Sequence, residues 1–406
     1  METLRPTDES QAIEAVGWAC AGGHGLELVS GGTKRTLGSP GEAAARLDLS
    51  GLAGIALYEP EELVLTAGPG TALSEIAARL AQHGQALAFE PPDLGPLLGA
   101  DEGRATLGGC IAANLSGPRR VKAGAARDHF LGVRAVSGRG ALFKSGGRVV
   151  KNVTGYDLCK LLAGSWGTLA AMTEITVKVL PAAEKLRTVL VYGLDDEAGI
   201  AAMTRALGGP FEVSGAAHLP AGIAPLSGVG RVREPGTSVT ALRIEGPEPS
   251  VLARTETLRA LFADHAIDEL HGHNSAAFWR EVGDARFHAA AGEEIVWRLS
   301  VPPADGASVA GRIAGELEAR AFYDWGGGLV WLALPRAPED AGAGAVRRAV
   351  GPTGGHATLI RAPEDARRRV PAFHPQPPGL AALSARVKQA FDPLGIFNPG
   401  RMDGRG

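Results

Sequence analysis

Three stretches of the sequence gather residue types that could hold an anion or support charge transfer. In Val29-Ser-Gly-Gly-Thr-Lys-Arg-Thr-Leu-Gly38 a short strand runs into two glycines and a threonine. Successive backbone N–H groups in such a turn converge into a nest for phosphate oxygens, and glycine lets the backbone approach a ligand closely. Gly31, Gly32 and Thr33 are the expected donors, with Lys34 and Arg35 adding positive charge. A hairpin with basic surface residues would give the same short string. The second stretch, Ala105-Thr-Leu-Gly-Gly-Cys-Ile-Ala-Ala-Asn-Leu-Ser-Gly-Pro-Arg119, holds 14 uncharged residues from Ala105 to Pro118. It is too short of bulk for a core helix and offers Asn114 and Ser116 as ligands; a tightly packed Gly/Ala helix is the alternative. The third is Val150-Lys-Asn-Val-Thr-Gly-Tyr-Asp-Leu158 followed by Leu162-Ala-Gly-Ser-Trp-Gly167. Taken singly, Tyr156-Asp157 and Gly164 to Gly167 are compatible with ordinary cap and turn chemistry.

A fourth candidate lies far downstream. In Trp297-Arg-Leu-Ser-Val301 the strand alternation sends Trp297, Leu299 and Val301 to one face and Arg298 and Ser300 to the other. An arginine fork suits a carboxylate bidentately, which makes Arg298 the candidate for an acid group.

Other chemistries are disfavoured. The chain has no G-x-S-x-G, S-x-x-K, Walker or H-E-x-x-H sequence, and neither Gly68-Pro-Gly70 nor Gly138-Arg-Gly140 completes a dinucleotide fingerprint. Cys20, Cys110 and Cys159 share no C-x-x-C spacing, so neither an iron–sulfur cluster held by this chain alone nor a disulfide scaffold is expected. No metal site is expected: His265, His271 and His273 sit among acids that suit a solvated face. A formal charge of −3 over 406 residues argues against nucleic acid. The first ten residues carry acids and no apolar core, unlike a signal peptide, and a reduced, cytoplasmic setting is expected.

The elements that must position these residues follow from periodicity. A helix is expected over 9–20, strands over 26–30 and 63–67, and a helix after Gly70 that ends at Gly84. Further strands are expected over 130–136, 140–143 and 175–179, and Pro181 with Glu184-Lys185 marks a boundary. Beyond it come strand 186–193, helix 196–206, strands 211–217 and 238–244, and helix 250–263. Strand 294–301, helix 306–319, strands 321–325 and 328–334, helix 338–349 and strand 356–361 then spell β-α-β-β-α-β, one antiparallel sheet with helices on one face. The expected division is 1–182, 183–379, and a segment 380–406 that returns to the first domain. No repeat at a solenoid period is seen.

Together, the order and wording of these stretches resemble flavoproteins of the vanillyl-alcohol oxidase and p-cresol methylhydroxylase type. In that family a glycine loop takes the FAD pyrophosphate, T-x-G-G-x-x-x-x-N lies along the cofactor, and K-x-x-x-G-Y-D-L with G-S-x-G closes the flavin domain. The tail Asp392-Pro-Leu-Gly-Ile-Phe-Asn-Pro-Gly-Arg401 is similar to the family's terminal run. Ser116-Gly-Pro-Arg-Arg120, Trp297-Arg-Leu-Ser-Val-Pro302, Asp324-Trp-Gly-Gly-Gly328 and Gly354-Gly-His-Ala357 more narrowly resemble the family of FAD-binding E subunits of bacterial glycolate oxidase.

The resemblance implies an α+β chain: a two-subdomain FAD-binding domain followed by an α+β cap domain with an antiparallel sheet covered by helices. It implies non-covalent FAD, since no histidine lies in the 30–38 loop, where covalent members tether the flavin. Implied cofactor contacts are Gly31, Gly32, Thr33, Lys34, Thr106, Gly108, Gly109, Asn114, Gly117, Tyr156, Asp157, Gly164, Gly167 and Asn398. It further implies a 2-hydroxy acid such as glycolate as substrate, held by Arg298, and His356 as the base by family position. The H-x-x-H-x-G-D-G-N segment of oxidative relatives that act on 2-hydroxy acids is missing, so the implied partners are a second, catalytic FAD subunit and an iron–sulfur subunit. Through them the chain could be held peripherally at the inner membrane. A self-sufficient FAD oxidoreductase and an assembly subunit without catalysis are the alternatives.

Overall fold

Strand β1 (Glu2–Leu4) leads into α1 (Glu9–Gly22), which starts where the Asp8 carboxylate accepts the Gln11 N–H and stops at Gly23, left-handed with φ 63°. These boundaries and all that follow come from a computed structural model describing residues 1–148, 155–290, 292, 294–335 and 339–402. β2 (Leu26–Val29) and β3 (Ala45–Asp48) pair in parallel with β1, in the order β1-β3-β2. Ala12, Val16 and Ala19 of α1 bury their faces in one core with Leu26, Leu47 and Phe397. Next come β4 (Ile55–Glu59), β5 (Val64–Ala67), α2 (Leu73–Ala81) and α3 (Leu107–Ala113), then β6 (Phe130–Ser137), β7 (Leu142–Gly146) and β8 (Ala170–Lys178). They build an antiparallel sheet in the order β4-β5-β8-β6-β7.

The rest of the chain forms a second sheet. Its elements are β9 (Lys185–Tyr192), α4 (Asp196–Leu207), β10 (Gly215–Leu219), β11 (Val239–Gly246), α5 (Glu248–Leu261), β12 (Ile267–His271) and α6 (Gly272–Gly283). They continue as β13 (Ile295–Ser300), α7 (Gly306–Ala314), β14 (Arg320–Asp324), β15 (Leu329–Leu334), α8 (Ala343–Val350) and β16 (His356–Arg361), and the last long helix is α9 (Pro378–Phe391). All eight strands are antiparallel, in the order β12-β9-β11-β10-β14-β15-β13-β16. Read outward from the β10–β14 seam, both halves follow the strand order second, third, first, fourth. The β-α-β-β-α-β motif therefore occurs twice, fused edge to edge. The first copy escapes a periodicity search because β12, Ile-Asp-Glu-Leu-His, is an edge strand with only two apolar residues.

Two contact-defined units emerge: Met1–Leu115 with Ala125–Ala182 and Pro371–Gly406, and Ser116–Gly124 with Ala183–Val370. Two boundaries differ from the sequence expectation, each for a visible reason. Residues 371–379 belong with the first unit, where the Phe373 ring lies 5.4 Å from that of Trp166. Ser116–Gly124 leaves the first unit because Arg119 is locked to Glu245 in the second, at 3.0 and 2.5 Å. Among the described residues no helix is long and apolar enough to cross a membrane.

Candidate functional site

The glycine loop after β2 sits where the chain packs with no room for side chains. A methyl group added at Gly31 would stand 2.0 Å from the Arg104 carbonyl oxygen, so loop and 104–106 segment touch backbone to backbone. Gly32 turns left-handed at φ 72°, and nothing lies closer than 3.8 Å to where its Cβ would be. A side chain at Gly32 would therefore point into open space. Beside it the Ser30 and Thr106 hydroxyls share a hydrogen bond of 2.7 Å, and Thr106 caps α3 by accepting the Gly109 N–H. Gly108 is pressed on Pro69, whose Cβ would lie 2.6 Å from an added methyl.

Two distant segments complete the wall. Asn398 accepts the Leu28 N–H and donates to the Trp166 carbonyl, each at 2.8 Å, so one amide ties the chain's tail to β2 and to the Gly-Ser-Trp-Gly turn. Arg401 donates to the carbonyls of Lys34 and Leu37 at 3.3 and 3.2 Å. The tail is itself fixed by Asp392, 2% exposed, which accepts from the Ile396 and Phe397 N–H groups and from Lys388.

The result is an open cleft with about 690 Å³ of unfilled space, the solvent at its mouth included. Three cations, Lys34, Arg35 (paired with Glu27) and Arg401, line it together with Leu28, Val29, Leu49, Met172 and alanines, and no acid is among the described residues that line it. Lys34 is buried, and its Nζ donates to Thr33 Oγ1 at 3.2 Å. Burial lowers its pKa, only partly offset by Cys110 and Asp93. A lysine that loses water in this way is stabilised by an arriving anion. Glycine nest, buried cation and apolar wall fit a group that is dianionic at one end and flat and apolar at another, as FAD is. Burial pushes the Cys110 thiol up to about 12, which makes it an inert thiol and a poor tether for a flavin.

Of the expected cofactor contacts, Gly31, Gly32, Thr33, Lys34, Thr106, Gly108, Gly109, Gly167 and Asn398 all line this cleft. The structure does not bring five others to it. Asn114 ends α3 in the left-handed region at φ 49° and accepts the Arg127 N–H, and Gly164 packs on the same helix end through Ile111. Gly117 lies in the second unit, accepting from the Trp325 indole. Tyr156 is 91% exposed, and Asp157 caps the short helix Leu158–Leu162. The preceding Val150–Thr154 of the same motif lie outside the described residues. Arg401 and Trp166 line the cleft without having been singled out; Arg401 was legible as the last residue of the Asn-Pro-Gly-Arg run.

In the second unit the register puts Arg298 opposite Thr358 and Ser300 opposite His356. Arg298 and His356 therefore share one sheet face as diagonal neighbours, about 7–8 Å apart at Cα. Trp297 points to the other face, its indole donating to the Ala341 carbonyl. The Arg298 guanidinium carbon is 5.0 Å from the Trp325 ring centroid, and it makes no hydrogen bond among the described residues. Burial, then the nearby Arg120, bring its pKa down to about 10 against the pull of Asp324, so it stays charged at neutral pH. His356 is exposed at the head of β16.

Comparison with known proteins is consistent with this geometry. A family profile described as an FAD binding domain matches residues 3–146. The chain is 34% identical over 400 residues to glycolate oxidase subunit GlcE of Escherichia coli K12, covering 98% of this chain and 99% of that one. Glycolate oxidase subunit GlcD of Bacillus subtilis is 35% identical over 132 residues, 32% of this chain and 26% of its own. Among solved structures, p-cresol methylhydroxylase with substrate bound superposes with a TM-score of 0.72 at 14% identity, over 98% of this chain and 88% of its own. An alkyldihydroxyacetonephosphate synthase gives 0.70 at 14% identity, over 98% and 76%.

Proposed function

Since the chain belongs to the FAD-binding oxidoreductase family of the glycolate oxidase E subunit, we propose that it is the flavin-carrying subunit of a multi-subunit 2-hydroxy acid oxidase or dehydrogenase. The observation that carries this is the cleft of the first unit, with its glycine loop, three cations and no acid among the described residues that line it. Gly31, Gly32 and Thr33 would donate backbone N–H groups to the pyrophosphate and Lys34 its charge, with Thr106, Gly108, Gly109, Gly167 and Asn398 around them. Bound non-covalently there, FAD supplies an acceptor for the hydride on the α-carbon of the acid.

Arg298 would hold the substrate carboxylate by its fork, and His356 would take the proton of the α-hydroxyl as the carbonyl forms. The product is then a 2-oxo acid. The absence of a C-x-x-C pattern supports an onward path for electrons through partners, a second FAD subunit and an iron–sulfur subunit.

The test compares flavin reduction by glycolate or D-lactate in the isolated chain and in the assembled complex. Reduction only in the complex, slowed about 10²-fold or more by His356→Ala, agrees with the proposal. Full reduction by the isolated chain makes it a self-sufficient enzyme. Unchanged rates in Arg298→Ala and His356→Ala with intact flavin assign the oxidation to a partner.

A further inference from the structure

Between the second sheet and helices α4 and α7 lies a cavity of about 240 Å³, open to solvent, at the seam where the two sheet halves meet. The first half contributes Asp196, at the start of α4, with Pro220 and Ile223 just after β10; the second contributes Gly311 and Ala314 of α7 and Tyr323 of β14. At the seam His218 of β10 stands opposite Tyr323. Phe322 and Arg298 both lie opposite Trp331, so they share a face. Side chains alternate along a strand, which puts Tyr323 and the cavity on the face away from Arg298.

One carboxylate lines this space. Asp195 already caps α4 by accepting the Ala198 N–H at 2.8 Å, so Asp196 is not needed as the cap. Asp196 Oδ2 accepts the Tyr323 hydroxyl. Its Oδ1 stands 3.4 Å from Nε2 of His218, whose Nδ1 lies 2.8 Å from the Thr240 hydroxyl. His218 and Tyr323 are fully buried, whereas the Asp196 side chain remains 41% exposed. The carboxylate is therefore held by buried partners and still accessible. Burial acts to raise its pKa, but His218 and Tyr323 outweigh that and hold it below the usual carboxylate range, so it is charged at neutral pH.

We infer that this cavity takes the ammonium group of a small amine, anchored on Asp196, with the amine's carbon body against the small apolar residues of the wall. The site is separate from the acid-binding position of the proposed function and does not rest on it.

The surroundings favour a cation. Gly311 and Ala314 belong to the last turn of α7, so the negative end of that helix dipole is at the cavity. Arg312 in the same turn donates to the Ala349 carbonyl instead. Arg320 is the other charged residue among the described lining residues. Alternation sends its side chain to the Phe322 face, and it donates to Glu294. Each carboxylate oxygen has a second lone pair, so Asp196 can accept from an ammonium while keeping Tyr323.

The test titrates benzylamine, cationic at neutral pH, into the FAD-supplied full chain by NMR, with benzyl alcohol and benzoate as neutral and anionic matches in shape. Wild type should bind one benzylamine and hold the other two at least tenfold more weakly. Asp196→Asn should weaken benzylamine at least tenfold, the scale of a lost charge-assisted hydrogen bond. Gly311→Leu keeps Asp196 and fills the space: an added Cβ there meets nothing within 4 Å, and leucine is a better helix former than glycine. It should abolish binding while leaving the melting temperature unchanged or higher, which keeps the inference testable if Asp196→Asn fails to fold. Absence of benzylamine binding in wild type, equal affinity for benzyl alcohol, or unchanged affinity in either variant overturns the inference.

Discussion

Gly31→Ala probes the cleft where its construction is tightest. The new methyl would lie 2.0 Å from the Arg104 carbonyl oxygen and 3.0 Å from Thr106 Cγ2. Non-bonded heavy atoms relax at roughly 3.5 Å, so the two segments must part by about 1.5 Å. The 104–106 segment cannot yield freely: Thr106 is bonded to Ser30 at 2.7 Å, and the Ala105 carbonyl accepts the Leu73 N–H at 2.9 Å. Overpacking of this kind costs about 1–3 kcal/mol, and loss of the hydroxyl pair adds about 0.5–1.5 kcal/mol. Gly32→Ala is the control. Its methyl meets nothing within 3.7 Å, and its cost is that of the left-handed backbone, about 1–2 kcal/mol. Chemical denaturation of the flavin-free variants and equilibrium FAD binding measure both effects. Gly31→Ala should lose more stability than Gly32→Ala, and both should hold FAD less tightly. Wild-type stability and flavin content in Gly31→Ala would refute the packing argument, as would the reverse order of stabilities.

Lys34→Met should weaken FAD binding about tenfold or more, since the buried ammonium is lost as a partner for the pyrophosphate. Because burial lowers the Lys34 pKa in the unliganded chain and the charged form binds phosphate, wild-type affinity should fall as pH rises through that lowered value, and the variant's should not. Stability of the unliganded chain has the opposite sign: between the lowered value and the ordinary 10.5 the unfolded state holds more protons, so stability rises with pH. Denaturation at several pH values checks this. Asp392→Ala removes the acceptor of two backbone N–H groups and of Lys388 and should cost about 2–4 kcal/mol by denaturant midpoint. It should also loosen FAD, because Asn398 and Arg401 follow on the same tail.

Much of the cleft was legible because its chemistry is local. A strand entering Gly-Gly-Thr-Lys, a threonine before Gly108-Gly109, and an asparagine in a Pro-Gly turn announce themselves within a few residues. Asn114, Tyr156 and Asp157 look the same in sequence, but a left-handed helix end and an N-cap use the same residue types as a ligand contact. The second β-α-β-β-α-β motif was legible from its long apolar strands. The first was not, because its edge strand carries Asp268 and Glu269, which bind Arg231, Arg187 and Arg259, in place of an apolar alternation. The excursion of Ser116–Gly124 leaves no periodic trace at all. It is fixed by partners over 100 residues away, Glu245 and Trp325.

On the proposed function, the cleft of the first unit holds FAD without a covalent bond. The visible spectrum of the purified full chain, supplied with FAD and freed of excess, tests it before and after acid precipitation. One flavin per chain, released to the supernatant by acid and reduced in amount by Gly32→Val, is the predicted result. A chain that retains no flavin, colour that stays with the acid pellet, or full flavin content in Gly32→Val would contradict it.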